Sequence, residues 1–134
     1  MDAEGMVTSG PGVLTFRLPS PPPSMNAIYG IHYGKRQVFM KPEVRAYKTT
    51  MKMYVPKWEV AEHEKVELTL TVTENWHFKN GKFKKADVQN TVKVLIDLIS
   101  ERQGWNDCNV WKFTVNKEHS ETQRFVAVTM RKVA

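Results

Sequence analysis

Four polar residues around one predicted helix have the types and the spacing of a site that processes phosphodiesters. Asp87 and Asn90 stand at the start of this helix, Lys93 follows on the same side, and Asp107 comes just after the helix ends. Carboxylates that hold Mg²⁺ offset the charge that builds on phosphorus oxygens, and the ion lowers the pKa of its bound water. A lysine can reach the scissile phosphate or the leaving oxygen. A helix of about twenty residues separates its ends by roughly 20 to 30 Å, so Asp107 meets Asp87 only if the following strand brings it back.

Each of these residues also has an ordinary structural explanation. Asp87 would stabilise the first turn of a helix through the helix dipole. Lys93 and Asp97 stand four residues apart and would form a surface ion pair worth roughly 0.2–0.5 kcal/mol. Cys108, the single cysteine of the chain, would be a small buried hydrophobe. The four histidines lie far apart in the sequence, which argues against a zinc site.

Composition narrows the class of protein that could carry such a site. The 134 residues predict one folded domain, and lysine plus arginine exceed aspartate plus glutamate by 20 to 14, for a formal charge of +6. A basic chain favours a polyanionic partner, either nucleic acid or an acidic membrane surface. One cysteine excludes an intramolecular disulfide, and no apolar run has the length of a membrane span or the layout of a secretory signal. We therefore expect a cytoplasmic protein without membrane insertion.

The elements that must position the site follow from the periodicity of apolar residues. We expect a loose tail over residues 1–12 and a single domain over residues 13–134. Alternation with period two and spacing of three to four predict, in chain order, a strand at 13–18, a hairpin at 33–40, a helix at 42–54, a strand at 66–73, a helix from 88 to about 104, and strands at 110–116 and 124–131. This order predicts an α+β domain with two main helices on one small mixed or antiparallel sheet.

Two basic segments are candidates for contact with DNA. Lysines alternate with aromatic residues around an Asn-Gly turn signal before the second helix, and two further cations stand in the turn of the first hairpin. The candidate contacts are Lys79, Lys82, Lys84, Lys85, Lys35 and Arg36. Such segments bind phosphates and stack on exposed bases, whereas the alternative is a solvated arm whose aromatic side chains pack onto the domain.

Three blocks of sequence in the same order resemble the RusA family of Holliday-junction resolvases, which are small dimeric endonucleases frequently carried by phages and prophages. Residues 18–26 are similar to the family's Pro-Pro-Ser-x-Asn, and residues 87–93, followed by Asp97, are similar to Asp-x-Asp-Asn-x-x-Lys with a later Asp. Residues 105–108, with Val110, are similar to Trp-x-Asp-Asp-x-x-Val. The resemblance covers nearly the whole chain from Val13. It implies branched DNA as substrate, Mg²⁺ or Mn²⁺ as cofactor, a homodimer, and a bacterial or phage-infected cell.

Carried over position by position, the family's catalytic cluster is incomplete in this chain. Asp87 and Lys93 match, and Asp107 matches an aspartate that supports the cluster. Gln89 stands where the second catalytic aspartate belongs, and Cys108 stands where the third belongs. A glutamine brings no charge, and a thiol is a poor ligand for a hard ion. The resemblance thus implies Asp87 and Asp107 as metal ligands, with Lys93 assisting.

The two replacements leave several functions open. The chain could bind branched DNA with weakened Mg²⁺-dependent cleavage, or it could be catalytically inactive and act by binding DNA or a protein partner. A third hypothesis is a basic domain that binds RNA or a membrane surface. If cleavage is retained, other carboxylates must replace the missing ones, and the candidates are Glu74, Asp97 and Glu101.

Overall fold

Alternating apolar residues build one five-stranded sheet, which carries two helices. The computed structural model describes residues 7–10, 12–23, 29–32, 37–83 and 88–133. Its elements in chain order are β1 (Val7–Gly10), β2 (Val13–Leu18), β3 (Tyr29–His32), β4 (Gln37–Met40), α1 (Pro42–Met51), β5 (Lys65–Glu74), α2 (Val88–Gln103), β6 (Val110–His119) and β7 (Phe125–Val133). Single 3₁₀ turns occupy Lys52–Tyr54 and Asp107–Asn109.

The sheet has the strand order β1-β2-β7-β5-β6, and β3 and β4 form a separate hairpin. All neighbours in the large sheet are antiparallel except β5 and β6, which are parallel. Parallel neighbours need a crossover connection, and α2 lies within the segment that joins these two strands. The prediction of an α+β domain with a mixed sheet and two main helices is confirmed.

The core lies between the helices and one face of the sheet. Strands β2, β5 and β7 each bury every second side chain, and the helices contribute the opposing layer. The buried residues include Leu14, Phe16, Leu18, Val66, Leu68, Leu70, Val72, Val126, Val128 and Met130 from strands and Val44, Tyr47, Met51, Val94, Leu95, Leu98 and Ile99 from helices. Because α2 is held by this layer, its polar side is fixed relative to β6.

The observed elements differ from the expected ones mainly at their ends. Residues 7–10 of the predicted loose tail form β1, which pairs antiparallel with β2, so this part of the tail belongs to the sheet. The helix predicted over 42–54 is α1 followed by a 3₁₀ turn, and α2 ends before Gly104, which has a φ of 78°. The hairpin predicted over 33–40 begins earlier, because β3 at Tyr29–His32 is its first strand and pairs antiparallel with β4; residues 33–36 between them lie outside the described residues.

The proline-rich connector after β2 packs on α1. Pro21 and Pro22 are buried, and the Tyr47 hydroxyl donates a 2.7 Å hydrogen bond to the carbonyl oxygen of Ser20. Consecutive prolines cannot donate to a sheet, so the chain leaves the sheet here and is fastened by a side chain instead. Within the described ranges, no helix is both long enough and apolar enough to cross a membrane.

Candidate functional site

A cleft of about 530 Å³ lies between α2 and β6. Three charged side chains line it: Lys93 and Asp97 from α2, and Asp107 from the turn before β6. Its apolar walls are Val92, Ile96, Phe113 and Val115. Three residues that are separated in the sequence by up to 14 positions, from 93 to 107, thus share one concave surface.

The crossover from β5 through α2 to β6 brings these residues together. The apolar side of α2 packs on the sheet, so Lys93 and Asp97 project from its flank. Gly104 then ends the helix with a positive φ that a residue with a Cβ rarely adopts, and the chain reverses towards β6. Asp107 therefore lines the same cleft as Lys93 and Asp97, whereas Asp87, which the sequence predicts as its partner, lies outside the described residues.

Two asparagines hold the Asp107 turn in place. The Asn106 side chain accepts a 3.2 Å hydrogen bond from the Cys108 amide, and the Asn109 side chain accepts one of 3.2 Å from the Asn106 amide. The buried Asn109 also donates to the carbonyl oxygens of Ala61, Glu62 and Glu64 at 3.3, 3.1 and 2.9 Å. Sequence reasoning missed this anchor, although an asparagine three residues after another asparagine has the spacing of a capping box.

Burial and neighbouring charges act on Asp97 in opposite directions. Desolvation by burial raises the pKa of Asp97 above its ordinary value, and the charges of Glu101 and Asp107 add to this effect. The ammonium groups of Lys48 and Lys93 lower the pKa without cancelling the rise. A cation bound in the cleft would act on Asp97 in the same direction as the two ammonium groups and favour its ionised form.

Glu101 is paired with two lysines, one from α1 and one from the 3₁₀ turn that follows it. It accepts a 2.8 Å hydrogen bond from the Lys48 ammonium and lies 3.3 Å from that of Lys52. Burial raises the pKa of Glu101, but the hydrogen bonds and charges of the two lysines more than offset this, and the pKa lies below its ordinary value. Glu74 lies 3.9 Å from Arg124 at the end of β5. Of the three replacement carboxylates that the sequence offered, Asp97 is therefore the one that lines the cleft.

Three further positions of the motif are the predicted ligand Asp87 and the two altered positions, Gln89 and Cys108. Cys108 is exposed and, although it follows Asp107, it does not line the cleft. The backbone of Gln89 lies in the first turn of α2, but its side chain and all of Asp87 lie outside what the structure describes.

The two carboxylates that line the cleft are compatible with Mg²⁺ as ligands. Within the described ranges, no three histidine, cysteine, aspartate or glutamate side chains gather around one point. Mg²⁺ is usually held by one or two carboxylates together with water and phosphate oxygens. Asp97 and Asp107 supply such a pair of hard oxygen donors, and Lys93 beside them suits a phosphate.

Residues 76–83, which follow β5 in the chain, form a short arm. His77 and Phe83 form an isolated antiparallel bridge, and the intervening turn contains Gly81 with a φ of 83°. Lys79 and Lys82 are exposed on this arm, so it presents cations to solvent. The other predicted DNA contacts, namely Lys35, Arg36, Lys84 and Lys85, lie outside the described residues.

The aromatic residues of the arm do not pack uniformly onto the domain. Trp76 is buried, with 6% of its surface exposed, whereas Phe78 and Phe83 are 54% and 77% exposed. The alternative of a solvated arm held down by its aromatic side chains thus fits Trp76 but not the two phenylalanines.

Comparison with known protein families identifies the family to which this chain is similar. A family model described as endodeoxyribonuclease RusA matches residues 19–131, which include the proline-rich connector, the arm and the cleft. A search of curated proteins gives no match. The family match confirms the resemblance indicated by the three sequence blocks. Because the matched region spans most of the chain and contains every element that forms the cleft, the chain belongs to the RusA endodeoxyribonuclease family.

Proposed function

We propose that this protein binds branched DNA, in particular four-way junctions, at the face formed by the α2–β6 cleft and the basic arm. The observation that carries the proposal is the convergence of Lys93, Asp97 and Asp107 in one cleft. Lys79 and Lys82 lie on the arm that precedes α2, where they can bind phosphates on either side of the branch point. The family to which the chain belongs acts on the same class of polymer.

Mg²⁺-dependent cleavage in this cleft would be weak. When bound, the metal would supply a hydroxide and offset charge on the phosphate. Asp97 and Asp107 would hold it, with Asp87 as a further ligand, and Lys93 would orient the phosphate. At an effective dielectric constant of about 20, each carboxylate a few Å from the ion contributes on the order of several kcal/mol. The absence of charge at Gln89 therefore reduces metal affinity, and Cys108, which does not line the cleft, contributes no carboxylate either. Asp97 would restore only part of the affinity.

A homodimer is the assembly that suits this substrate. A four-way junction has approximate two-fold symmetry, and an isologous dimer would present two copies of the cleft related by the same symmetry. Two clefts would allow paired cuts in opposite strands. The corresponding site of action is the cytoplasm of a bacterial or phage-infected cell.

The decisive experiment measures binding and cleavage separately. Purified protein is incubated with a four-way junction and with plain duplex, with and without Mg²⁺ or Mn²⁺. We expect preferential binding of the junction and slow, metal-dependent, symmetrical cutting. Asp97→Asn and Asp107→Asn should abolish cutting, while Glu121→Gln, which removes an exposed acid in the β6–β7 turn, should not.

The possible outcomes separate the proposal from its alternatives. Junction binding without any cutting would identify a catalytically inactive member of the family that acts through binding. Equal affinity for junction and duplex would contradict branched-DNA selectivity. No binding to either DNA would refute the proposal and favour a protein partner.

A further inference from the structure

A second cavity, of about 330 Å³, lies beyond the cleft at the end of β6. Five side chains line it: Trp76, His77 and Phe83 from the arm, and Lys117 and His119 from β6. Four of the five are aromatic, and the fifth is a cation. This combination differs from that of the cleft, where carboxylates and aliphatic side chains predominate.

Ring contacts fix the geometry of this cavity. The imidazoles of His77 and His119 are stacked, with centroids 3.9 Å apart and planes inclined by 10°. Phe83 leans on His77 with centroids 5.2 Å apart and planes inclined by 39°. The Lys117 ammonium lies 4.4 Å from the centroid of the Trp76 ring. Two of the four rings therefore stack on each other, a third is tilted against one of them, and Phe83 leaves most of its surface open to solvent.

One hydrogen bond sets the orientation of His119. Its Nδ1 accepts from the backbone amide of Trp76 at 3.1 Å. An imidazole nitrogen that accepts a hydrogen bond carries no proton, so in the neutral ring Nε2 bears the hydrogen and is a donor. The wall of the cavity thus combines aromatic surface with two polar groups, this N–H and the Lys117 ammonium.

The cavity and the cleft lie on the same face of β6. Phe113 and Val115 line the cleft, and Lys117 and His119 line the second cavity. All four alternate residues pair with positions of β5 from Leu68 to Glu74, in an unbroken register. At about 3.3 Å per residue, Val115 and Lys117 are roughly 7 Å apart along the strand, which equals about two nucleotides of stacked DNA.

We propose that this cavity is a nucleobase pocket, which receives an unpaired base a few nucleotides from the phosphate bound in the cleft. The inference rests on the proposed function, because it assumes branched DNA on this face. Bases at a branch point are more easily unstacked than bases within a duplex, and an exposed phenyl ring offers a stacking surface that any base can use. Lys117 and the Nε2 hydrogen of His119 can bind carbonyl oxygens on the edge of the base or an adjoining phosphate.

A base fits this cavity better than a phosphate alone. A phosphate site needs converging donors or cations, whereas most of the lining here is aromatic carbon with one lysine. The continuity with the cleft also places the cavity on the path of a strand that passes the carboxylates. The pocket would hold one strand near the branch point and so favour junctions over duplex.

A matched pair of variants tests the pocket. Phe83→Ala removes the proposed stacking surface, and Phe78→Ala removes another exposed phenyl group from the same arm that does not line the cavity. We expect Phe83→Ala to weaken junction binding roughly five- to hundredfold, in line with the loss of one base–aromatic stack, and Phe78→Ala to change it less than threefold. Phe83→Trp should restore binding. Thermal unfolding of each variant verifies that the fold is intact.

Abasic substitutions in the DNA provide a second, independent test of the pocket. Abasic nucleotides are placed one at a time at the four positions on either side of the branch point, and fluorescence anisotropy gives the Kd for each protein. At one position the abasic site should weaken binding by the wild type but not by Phe83→Ala. Such non-additivity is expected only when ring and base contact each other.

The pocket and the proposed function fail in different ways. If the wild type prefers junctions but Phe83→Ala behaves like Phe78→Ala, and no abasic position is coupled to Phe83, the pocket is refuted and the function stands. If the wild type does not distinguish a junction from duplex, the proposed function is refuted. If the wild type binds no DNA at all, both are refuted.

Discussion

Replacement of Glu101 by alanine distinguishes a structural carboxylate from a metal ligand. The sequence allows Glu101 to replace one of the missing catalytic aspartates, whereas the structure places it between Lys48 and Lys52. If the ion pair is its role, Glu101→Ala should lower the free energy of unfolding and leave metal-dependent cleavage unchanged. If Glu101 were a metal ligand, the variant would lose cleavage and keep its stability.

The size of the effect follows from distance and exposure. The Lys48 ammonium is 2.8 Å from Glu101, and 10% of the Lys48 side chain is exposed against 47% of the Glu101 side chain. At an effective dielectric constant of 20 the gross attraction is about 6 kcal/mol, which solvent around Glu101 reduces substantially. A hydrogen bond to a charged group contributes roughly 1.5–3 kcal/mol. We therefore expect Glu101→Ala to cost about 1–3 kcal/mol, largely because the Lys48 ammonium is left without its carboxylate.

Equilibrium unfolding in urea at neutral pH measures this cost. Lys52→Met is the matched control, because the Lys52 side chain is 44% exposed and its 3.3 Å contact with Glu101 should be worth less than about 1 kcal/mol. A double-mutant cycle with Lys48→Met should return a coupling of about 1–3 kcal/mol.

Acid should weaken the same ion pair. The pKa of Glu101 lies below its ordinary value of 4.5, so this stabilisation is present above that value and is lost as the pH falls through the lowered pKa. The difference between wild type and Glu101→Ala should therefore shrink in acid. An Ala variant as stable as the wild type, or one that loses cleavage at unchanged stability, would refute the structural role.

Three further predictions concern the cleft and the layer that supports it. Because burial raises the pKa of Asp97, the free energy of unfolding of the wild type should fall as the pH rises from the ordinary pKa of 3.8 through the raised one. Asp97→Asn should therefore be more stable than the wild type at neutral pH. Thermal unfolding measured over a pH series would contradict this if the variant were less stable at pH 7. Gln89→Asp should increase Mg²⁺-dependent junction cleavage at least about tenfold, because a new charge near the ion is worth more than about 1.4 kcal/mol, whereas Cys108→Asp should increase it less, because the Cys108 side chain does not line the cleft. Unchanged cleavage by the Gln89 variant in a nicking assay would show that this position does not face the metal. Leu95→Ala, at a fully buried position of α2, should lower the free energy of unfolding by about 2–5 kcal/mol in urea titrations, and a loss below 1 kcal/mol would contradict the packing of α2 on the sheet.

Much of the fold could be predicted because local patterns and tertiary structure agree. Apolar residues alternate through β2 and β5 and recur at helical spacing through α2, and these periodicities decide which side of each element is buried. The pairing of β1 with β2 was missed, since Val7–Gly10 contains little apolar pattern and is fixed by backbone hydrogen bonds to its neighbour. Short edge strands of this kind depend on a partner rather than on their own composition.

Which of the three candidate carboxylates lines the cleft could not be decided from the sequence. Glu74, Asp97 and Glu101 are all acidic residues near the motif blocks. The packing of α1 against α2 brings Lys48 to Glu101, and Arg124 lies beside Glu74. These tertiary contacts distinguish the two glutamates from Asp97, which lines the cleft. The anchoring of the Asp107 turn by Asn109 likewise depends on a loop some 45 residues away in the chain.

The sequence by itself determined the family and the helix that carries the lysine, because these properties reside in residue types at fixed spacing. The tertiary structure alone decided that Lys93, Asp97 and Asp107 share a cleft, and that an aromatic cavity continues it along β6. The reason is physical. The spacing of residues along the chain predicts which side of a helix or strand a residue occupies. The distance between a residue of α2 and a residue of β6 depends instead on the crossover from β5 to β6 and on the core that holds α2 against the sheet.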